Sequence, residues 1–247
     1  MKKCTICVFI SILQVLLFLI NIGVHKSSRI MKILSVNIGL PRDVLFRGEV
    51  VNTGIFKEPV IGRVRLRKLN LDGDKQADLT VHGGPDKAIY TYPSEHYEYW
   101  RHELPSTTLL PYGMFGENLT TEGLMEDVVN IGDQFQIGCS ARVMATQPRM
   151  PCYKLGVKFG RMDIIRRFLA SGRTGIYFNV LREGEIGSAD EIQLIKRDKN
   201  NVTVKDIVRL YVDDKGDIET MHRAIRIKAL PEGWIDHFRQ QIDRLGK

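Results

Sequence analysis

From Met31 onward, apolar and polar positions alternate in short runs separated by Gly, Pro, Asn and Asp. A period of two suits a strand with one buried face. The pattern predicts strands near 32–37, 63–69, 88–92, 135–137, 142–145, 175–181 and 191–195, enough for a sheet-rich barrel or sandwich. Two helical patterns interrupt them: SEHYEYWRHEL, with Ser94 suited to its N-cap, and MDIIRRFLASG, stopped by Gly172. Beyond Lys199 the period lengthens to that of helices. Thr203 can cap VKDIVRLY, Asp217 can cap IETMHRAIRI, and Pro231 fits the first turn of PEGWIDHFRQQIDRL. Ile207, Leu210, Tyr211, Ile225, Trp234, Phe238, Ile242 and Leu245 fall at helical spacing and are expected in the core. The chain therefore divides into a leader (1–30), a mainly β domain (31–198) and a small three-helix unit (199–247).

Charge changes this picture mostly at the front. Lys and Arg exceed Asp and Glu by 7, but residues 1–30 hold four of the 36 cations and none of the 29 acids. The remaining chain is close to balance, which argues against a nucleic-acid partner; so do tail arginines scattered among acids. Lys2 and Lys3 precede the apolar run 6–20, which resembles a signal sequence or short anchor, although no small-residue cleavage site follows. Either these residues anchor or export the protein, or translation starts at Met31, whose MKILSVNIGLP reads as a first strand. The second reading is preferred; it gives a cytoplasmic protein, with membrane contact only if the leader is a real anchor. Cysteines at 4, 7, 139 and 152 match neither a disulfide framework nor a zinc ribbon.

Candidate chemistry concentrates in three segments. Cys139 alternates with Phe135, Ile137, Ala141 and Val143, so on one continuous strand it points to the apolar face as packing. Cys152, in MATQPRMPCYKLG, follows two prolines that cannot donate to a sheet, so it belongs to a loop or rim. Arg149 and Lys154 lie close to it in sequence, and a nearby cation favours a thiolate, able to act as nucleophile or soft-metal ligand. An inert loop cysteine fits as well. In DLTVHGGPDKAIYTYP, Gly83 and Gly84 allow close approach to a ligand or make an ordinary turn, and His82 either ligates, donates or caps that turn. In YGMFGENLTTEG, glycine backbone can offer N–H groups to an anion, and Asn118 carries both donor and acceptor; a plain hairpin loop is the alternative.

Taken in order, DLTVHGGPDKAIYTYP, GMFGENLTTEG and QPRMPCYKLG resemble the MOSC family, the domain named for the C-terminal part of molybdenum cofactor sulfurases. The likeness runs from residue 31 to about 195. The helical tail resembles the extension of the YiiM-like branch, linked to resistance against 6-N-hydroxylaminopurine. The resemblance implies a β-barrel-like fold, a molybdenum cofactor held as molybdopterin, and reduction of N-hydroxylated bases or related compounds. It makes Cys152 the sulfur ligand to molybdenum and a catalytic residue together with His82. Asn118, Gly83 and Gly84 then lie around metal or pterin, and Arg149 and Lys154 neutralise phosphate or oxo-metal charge. Electrons must arrive from an external donor protein such as a flavoprotein, because no iron–sulfur, flavin or nicotinamide fingerprint is visible. The alternatives are a sulfur carrier using a Cys152 persulfide, though no pyridoxal-dependent desulfurase domain fits in so short a chain, and a non-enzymatic cofactor-binding module.

Overall fold

The computed structural model describes residues 30–78 and 83–246; residues 1–29 of the leader and His82 lie outside the described residues. The strands are β1 (Met31–Ile38), β2 (Arg42–Phe46), β3 (Glu49–Thr53), β4 (Glu58–Pro59), β5 (Arg63–Leu66), β6 (Ile89–Pro93), β7 (Leu119–Glu122), β8 (Gln134–Ile137), β9 (Ala141–Pro148), β10 (Ile176–Arg182), β11 (Gly184–Gly187) and β12 (Glu191–Lys196). The helices are α1 (Glu95–Glu103), α2 (Tyr153–Phe159), α3 (Asp163–Ala170), α4 (Val204–Val212), α5 (Ile218–Ala224) and α6 (Glu232–Leu245). Seven strands run β12-β8-β9-β10-β6-β7-β1, and β1 pairs back onto β12, so the sheet closes into a barrel. β6 and β7 are parallel, whereas the other neighbours in the ring are antiparallel.

Side-chain alternation explains the closure. Ile176, Phe178 and Val180 of β10, with Phe135, Ile137, Val143 and Ala145 of β8 and β9, fill the interior. Positions between them turn outward. Strand β6 is buried on both faces because Ile89 enters the interior while Tyr90 and Tyr92 join a second, aromatic cluster outside the barrel wall. That outer layer includes Trp100 of α1, Phe115, Leu155 of α2 and Ile164 and Phe168 of α3.

The tail starts with a capping box, in which the Thr203 hydroxyl accepts from Asp206 N–H and the Asp206 carboxylate accepts from Thr203 N–H. Asp217 accepts from Thr220 N–H at 3.0 Å and so caps α5. Ile207, Leu210, Trp234 and Phe238 join the same apolar cluster as the barrel interior. Two residues expected there do not: Tyr211 and Leu245 are 37% and 46% exposed. Leu245 ends the last helix, and Tyr211 turns onto a groove that it lines with Trp234 and His237.

Other expectations are corrected as well. Cys139 is exposed: β8 and β9 are two strands of a hairpin, and Gly138, at φ 53°, turns the chain just before it. Alternation read through a turn assigns the wrong face. Ser94 stands at the N-cap of α1 but makes no capping bond, its hydroxyl donating to Glu95 at 3.4 Å. Strand β5 stops at Leu66, where Arg67 N–H bonds back to Asn70 and reverses the chain. The β2–β3 hairpin, β7 and α2 were not anticipated. Among the described residues no helix is long and apolar enough to cross a membrane.

Candidate functional site

The register of β6 on β10 sets Tyr90 opposite Tyr177 on the outer face of the barrel. Their ring centres are 5.1 Å apart and form one wall of a cleft. Strand β9 supplies the next part. Pro148 is its last paired residue, and Pro151, three positions on, has no N–H for a ladder bond, so the chain leaves the sheet here. Arg149 follows Pro148 and is only 6% exposed. Its guanidinium lies 4.8 Å from the centre of the Tyr90 ring and donates to the Phe115 carbonyl. Burial alone would lower its pKa, but Tyr90, Tyr177 and Cys152 around it outweigh that and hold it above its ordinary value. Cys152 sits at the N-cap position of α2 as a half-buried thiol, and Lys154 stands in the first turn. Both line the cleft.

A further wall is built from residues 53–55, 57 and 75–77. Lys158 fixes it from α2: its ammonium donates to the carbonyls of Gly113 (2.9 Å), Ile55 (3.2 Å) and Lys57 (3.5 Å). Burial brings the pKa of this amine down to about 8. Lys57 is itself buried against Asp74, and burial lowers its pKa although Asp74 opposes the shift. Asp74 also accepts from Gly39 N–H and from Asn118 Nδ2, each at 2.9 Å. The Asn118 oxygen accepts from Tyr90 N–H at 3.1 Å, so its carboxamide joins the two walls.

The glycine-rich loop does not offer its amides outward as expected. Gly113 and Phe115 N–H donate to the buried Glu117 carboxylate at 2.8 and 3.1 Å, and Tyr97 and Thr120 hydroxyls donate to it as well. Burial raises the pKa of Glu117, against these four donors. The glycines serve close approach instead: a Cβ on Gly113 (φ 84°) would stand 2.7 Å from the Lys57 carbonyl, and one on Gly116 (φ 76°) 2.7 Å from the Ile55 side chain.

The cleft thus gathers Cys152, Arg149, Lys154, Asn118 and Gly83 of the residues singled out in the sequence. Gly84 lines the neighbouring groove. Sequence reasoning did not place Lys57, Lys75, Lys87, Tyr90 or Tyr177 in a site. Of these, Lys87 and Tyr90 lie in the singled-out segment DLTVHGGPDKAIYTYP, whereas Lys57, Lys75 and Tyr177 had no local signal. Together, Lys57, Lys75, Lys87, Arg149 and Lys154 line the cleft, and among the described residues no Asp or Glu does. Its cavity volume is about 80 Å³, and the space counted out through its open mouth into solvent is about 600 Å³. No three His, Cys, Asp or Glu side chains gather as a metal site among the described residues. Such a cleft suits an anionic ligand whose metal brings other ligands with it and takes one bond from a thiolate.

Residues 78–193 match the family model described as MOSC domain, and residues 202–245 match that described as YiiM-like, 3-alpha helix domain. The uncharacterized protein YflK of Bacillus subtilis (strain 168) is 39% identical over 213 residues, covering 86% of this chain and 95% of YflK. A protein named Reductase from Gibberella moniliformis (strain M3125 / FGSC 7600) is 31% identical over 72% of this chain, which spans 32% of that longer protein. The crystal structure of YiiM from Geobacillus stearothermophilus superposes with a TM-score of 0.71 at 32% identity, covering 86% of this chain and 99% of that one. The chain belongs to the MOSC domain family, a molybdenum-cofactor-binding family, and carries the YiiM-like three-helix domain.

Proposed function

We propose that the protein holds a molybdenum cofactor in this cleft, with Cys152 as a thiolate ligand to the metal, and reduces N-hydroxylated bases or related compounds. The observation that carries this is one cleft lined by a thiol and by Arg149, Lys154, Lys75 and Lys87, with no carboxylate among its described lining residues; the fifth cation, Lys57, is answered by Asp74 beneath it. A molybdopterin bears a phosphate and chelating sulfurs, so it needs charge compensation and little further ligation from the chain. Bound there, it supplies the two-electron redox centre. The net change converts the N-hydroxyl compound, two electrons and two protons into the amine and water. Electrons come from a separate donor protein such as a flavoprotein. A reductase name on a relative supports this chemistry.

The chain's own residues orient and compensate charge. Arg149 is held in place, because its guanidinium lies over the Tyr90 ring and is tethered to the Phe115 carbonyl. A fixed guanidinium beside a thiol favours the thiolate and adds charge-assisted donors for an anion. Lys154 and the more exposed Lys75 are placed to neutralise phosphate. Soft thiolate ligation suits a transition metal without an additional base.

Metal analysis of protein purified from a cofactor-competent host tests the assignment. We expect about one molybdenum per chain in the wild type, the stoichiometry of one thiolate-ligated site, and its loss in Cys152→Ala. Full loading of the variant would remove the ligand role. Cyanide-labile sulfur on metal-free protein would point to a sulfur carrier instead, and turnover of an N-hydroxylated base with a supplied electron donor separates an enzyme from a passive binder.

A further inference from the structure

The β2–β3 hairpin stands apart from the barrel sheet. Its strands pair with each other, from Arg42 opposite Thr53 to Phe46 opposite Glu49, and among the described residues no third strand joins either edge. Val44, Phe46 and Val51 share one face and are half-buried. On the other face Leu45 sits directly across from Val50, and these two apolar side chains are 74% and 68% exposed. An open edge beside exposed apolar positions is a template for another strand, and charge is the usual guard against that pairing. Here the charges are arranged to fit a second copy of the same edge.

The backbone fixes which groups are open. The turn consists of Arg47 and Gly48, both at positive φ (54° and 85°), the two-residue geometry whose flanking pair, Phe46 and Glu49, is hydrogen-bonded. Bonded and open pairs alternate along the ladder, so Val44 and Phe46 spend their backbone groups on β3, while those of Asp43 and Leu45 point out from the free edge of β2. Asp43 accepts from the Asn52 side chain at 2.7 Å, which holds its carboxylate on the exposed face. Arg47 is exposed at the turn, its guanidinium 5.4 Å from the Phe46 ring, and neither Asp43 nor Arg47 forms an ion pair among the described residues.

Two copies of β2 run antiparallel about a two-fold axis at Leu45 set Leu45 against Leu45 and Asp43 against Arg47, the latter twice. A slip of one residue brings Arg42 against Arg47 and meets open backbone groups with spent ones. A slip of two brings Asp43 against Leu45 or against Glu49. The β3 edge has no equivalent match, because residues 49–53 contain Glu49 and no cation to answer it.

We propose that the free edge of β2 is an interface between two copies of this chain, joined about a two-fold axis at Leu45 into one four-stranded sheet. The inference is independent of the cofactor reading. It bears on the cleft nonetheless, since β3 ends at Thr53, which with Gly54 and Ile55 forms part of the cleft wall. Two hairpins meeting edge to edge bury less surface than a stable dimer needs, so the association belongs in the micromolar range.

Sedimentation velocity of the full chain, from about 1 to about 200 μM to bracket so small an interface, should show the mass rising from one chain toward two. Asp43→Arg opposes two arginines at both ends of the interface and should weaken association about tenfold, the change being repeated by the symmetry. Leu45→Lys, which sets two ammonium groups at the axis, should weaken it at least as much. The double variant Asp43→Arg with Arg47→Asp restores the pair with its signs exchanged and should return to within about threefold of wild type. All four positions of change are exposed or at the hairpin turn, and matching thermal midpoints show that each variant folds. A wild type that stays a single chain throughout the range overturns the proposal. So does association that none of the substitutions weakens, which would place the contact elsewhere, residues 1–30 included. Failure of the double variant to recover would overturn the Leu45-centred register.

Discussion

Arg149 is the residue whose environment is most demanding, because a guanidinium so deeply buried must have its charge answered locally. The Tyr90 face and the Phe115 carbonyl answer it, and a lysine replaces the guanidinium's planar fork of donors with a single ammonium that serves the two less well. Arg149→Lys should therefore fold with a stability loss of about 1–3 kcal/mol, the cost of an imperfectly satisfied buried donor or acceptor, and retain much less molybdenum than wild type although Cys152 is intact. Metal content beside a urea denaturation curve checks both parts; full metal content would show that charge alone, not its fixed placement, holds the cofactor. Arg149, Cys152 and Lys154 were legible as a group because two prolines and adjacent cations sit within a few positions. Lys57 and Lys75 were not, since nothing within a few residues of them distinguishes them from surface lysines, and Lys87 lies in the segment DLTVHGGPDKAIYTYP without a role there that its neighbours in sequence would reveal. Cys139 marks the opposite limit: its alternation with apolar neighbours was real, but a hairpin turn lay between them.

At the scale of elements, the cleft depends on two loops clamped from inside. Glu117 organises the first by accepting Gly113 and Phe115 N–H on its two different oxygens. In Glu117→Gln, either orientation of the amide sets an NH₂ against a backbone N–H. One donor is left unanswered, and the expected loss is about 1–3 kcal/mol, read as a lower denaturation midpoint; an unchanged midpoint would mean that the loop does not rely on this carboxylate. Lys158 clamps the second loop, and its pKa of about 8 lies below the ordinary lysine value of 10.5. Between those values the unfolded chain binds more protons than the folded one, so this residue makes stability rise with pH across that window and adds no slope below it. Denaturation midpoints of wild type and Lys158→Met at pH 7.5 to 10 should show the steeper rise in the wild type, and parallel profiles would refute it. The seven predicted strands all form within the barrel or beside it: alternation marks β8, β9 and β10, and β6 is an apolar run buried on both faces. The β2–β3 hairpin escaped despite a turn at Arg47 and Gly48 with φ 54° and 85°, and α2 escaped because seven residues starting after Pro151 give too little periodicity to see.

On the scale of the whole molecule, barrel and tail share one interior. Ile131 N–H bonds to the Val202 carbonyl and Val204 N–H to the Val129 carbonyl, both at 2.9 Å, so the chain entering α4 is paired to the barrel before the helices begin. The buried Asp133 carboxylate secures the same seam, accepting from Asn130 N–H, Asp198 N–H and Arg197. Beyond it, Val204, Ile207, Leu210, Met221 and Phe238 are fully buried in the cluster that also holds the barrel's Ile33, Phe135 and Phe178. The change of period after Lys199 made the tail legible as three helices, but periodicity says only that a face is buried, not against what. If the tail were an independent appendage, a chain ending at Lys199 would keep a native barrel. The shared core says otherwise: truncation there uncovers apolar surface worth roughly 25 cal/mol per Å² and leaves backbone groups of 129–131 without their partners. The truncated protein is expected to retain β-type circular dichroism, bind a hydrophobic dye, and unfold without a sharp transition. A cooperative melt close to that of the full chain would instead make the tail an addition to a self-sufficient barrel, needed only at the aromatic groove it walls.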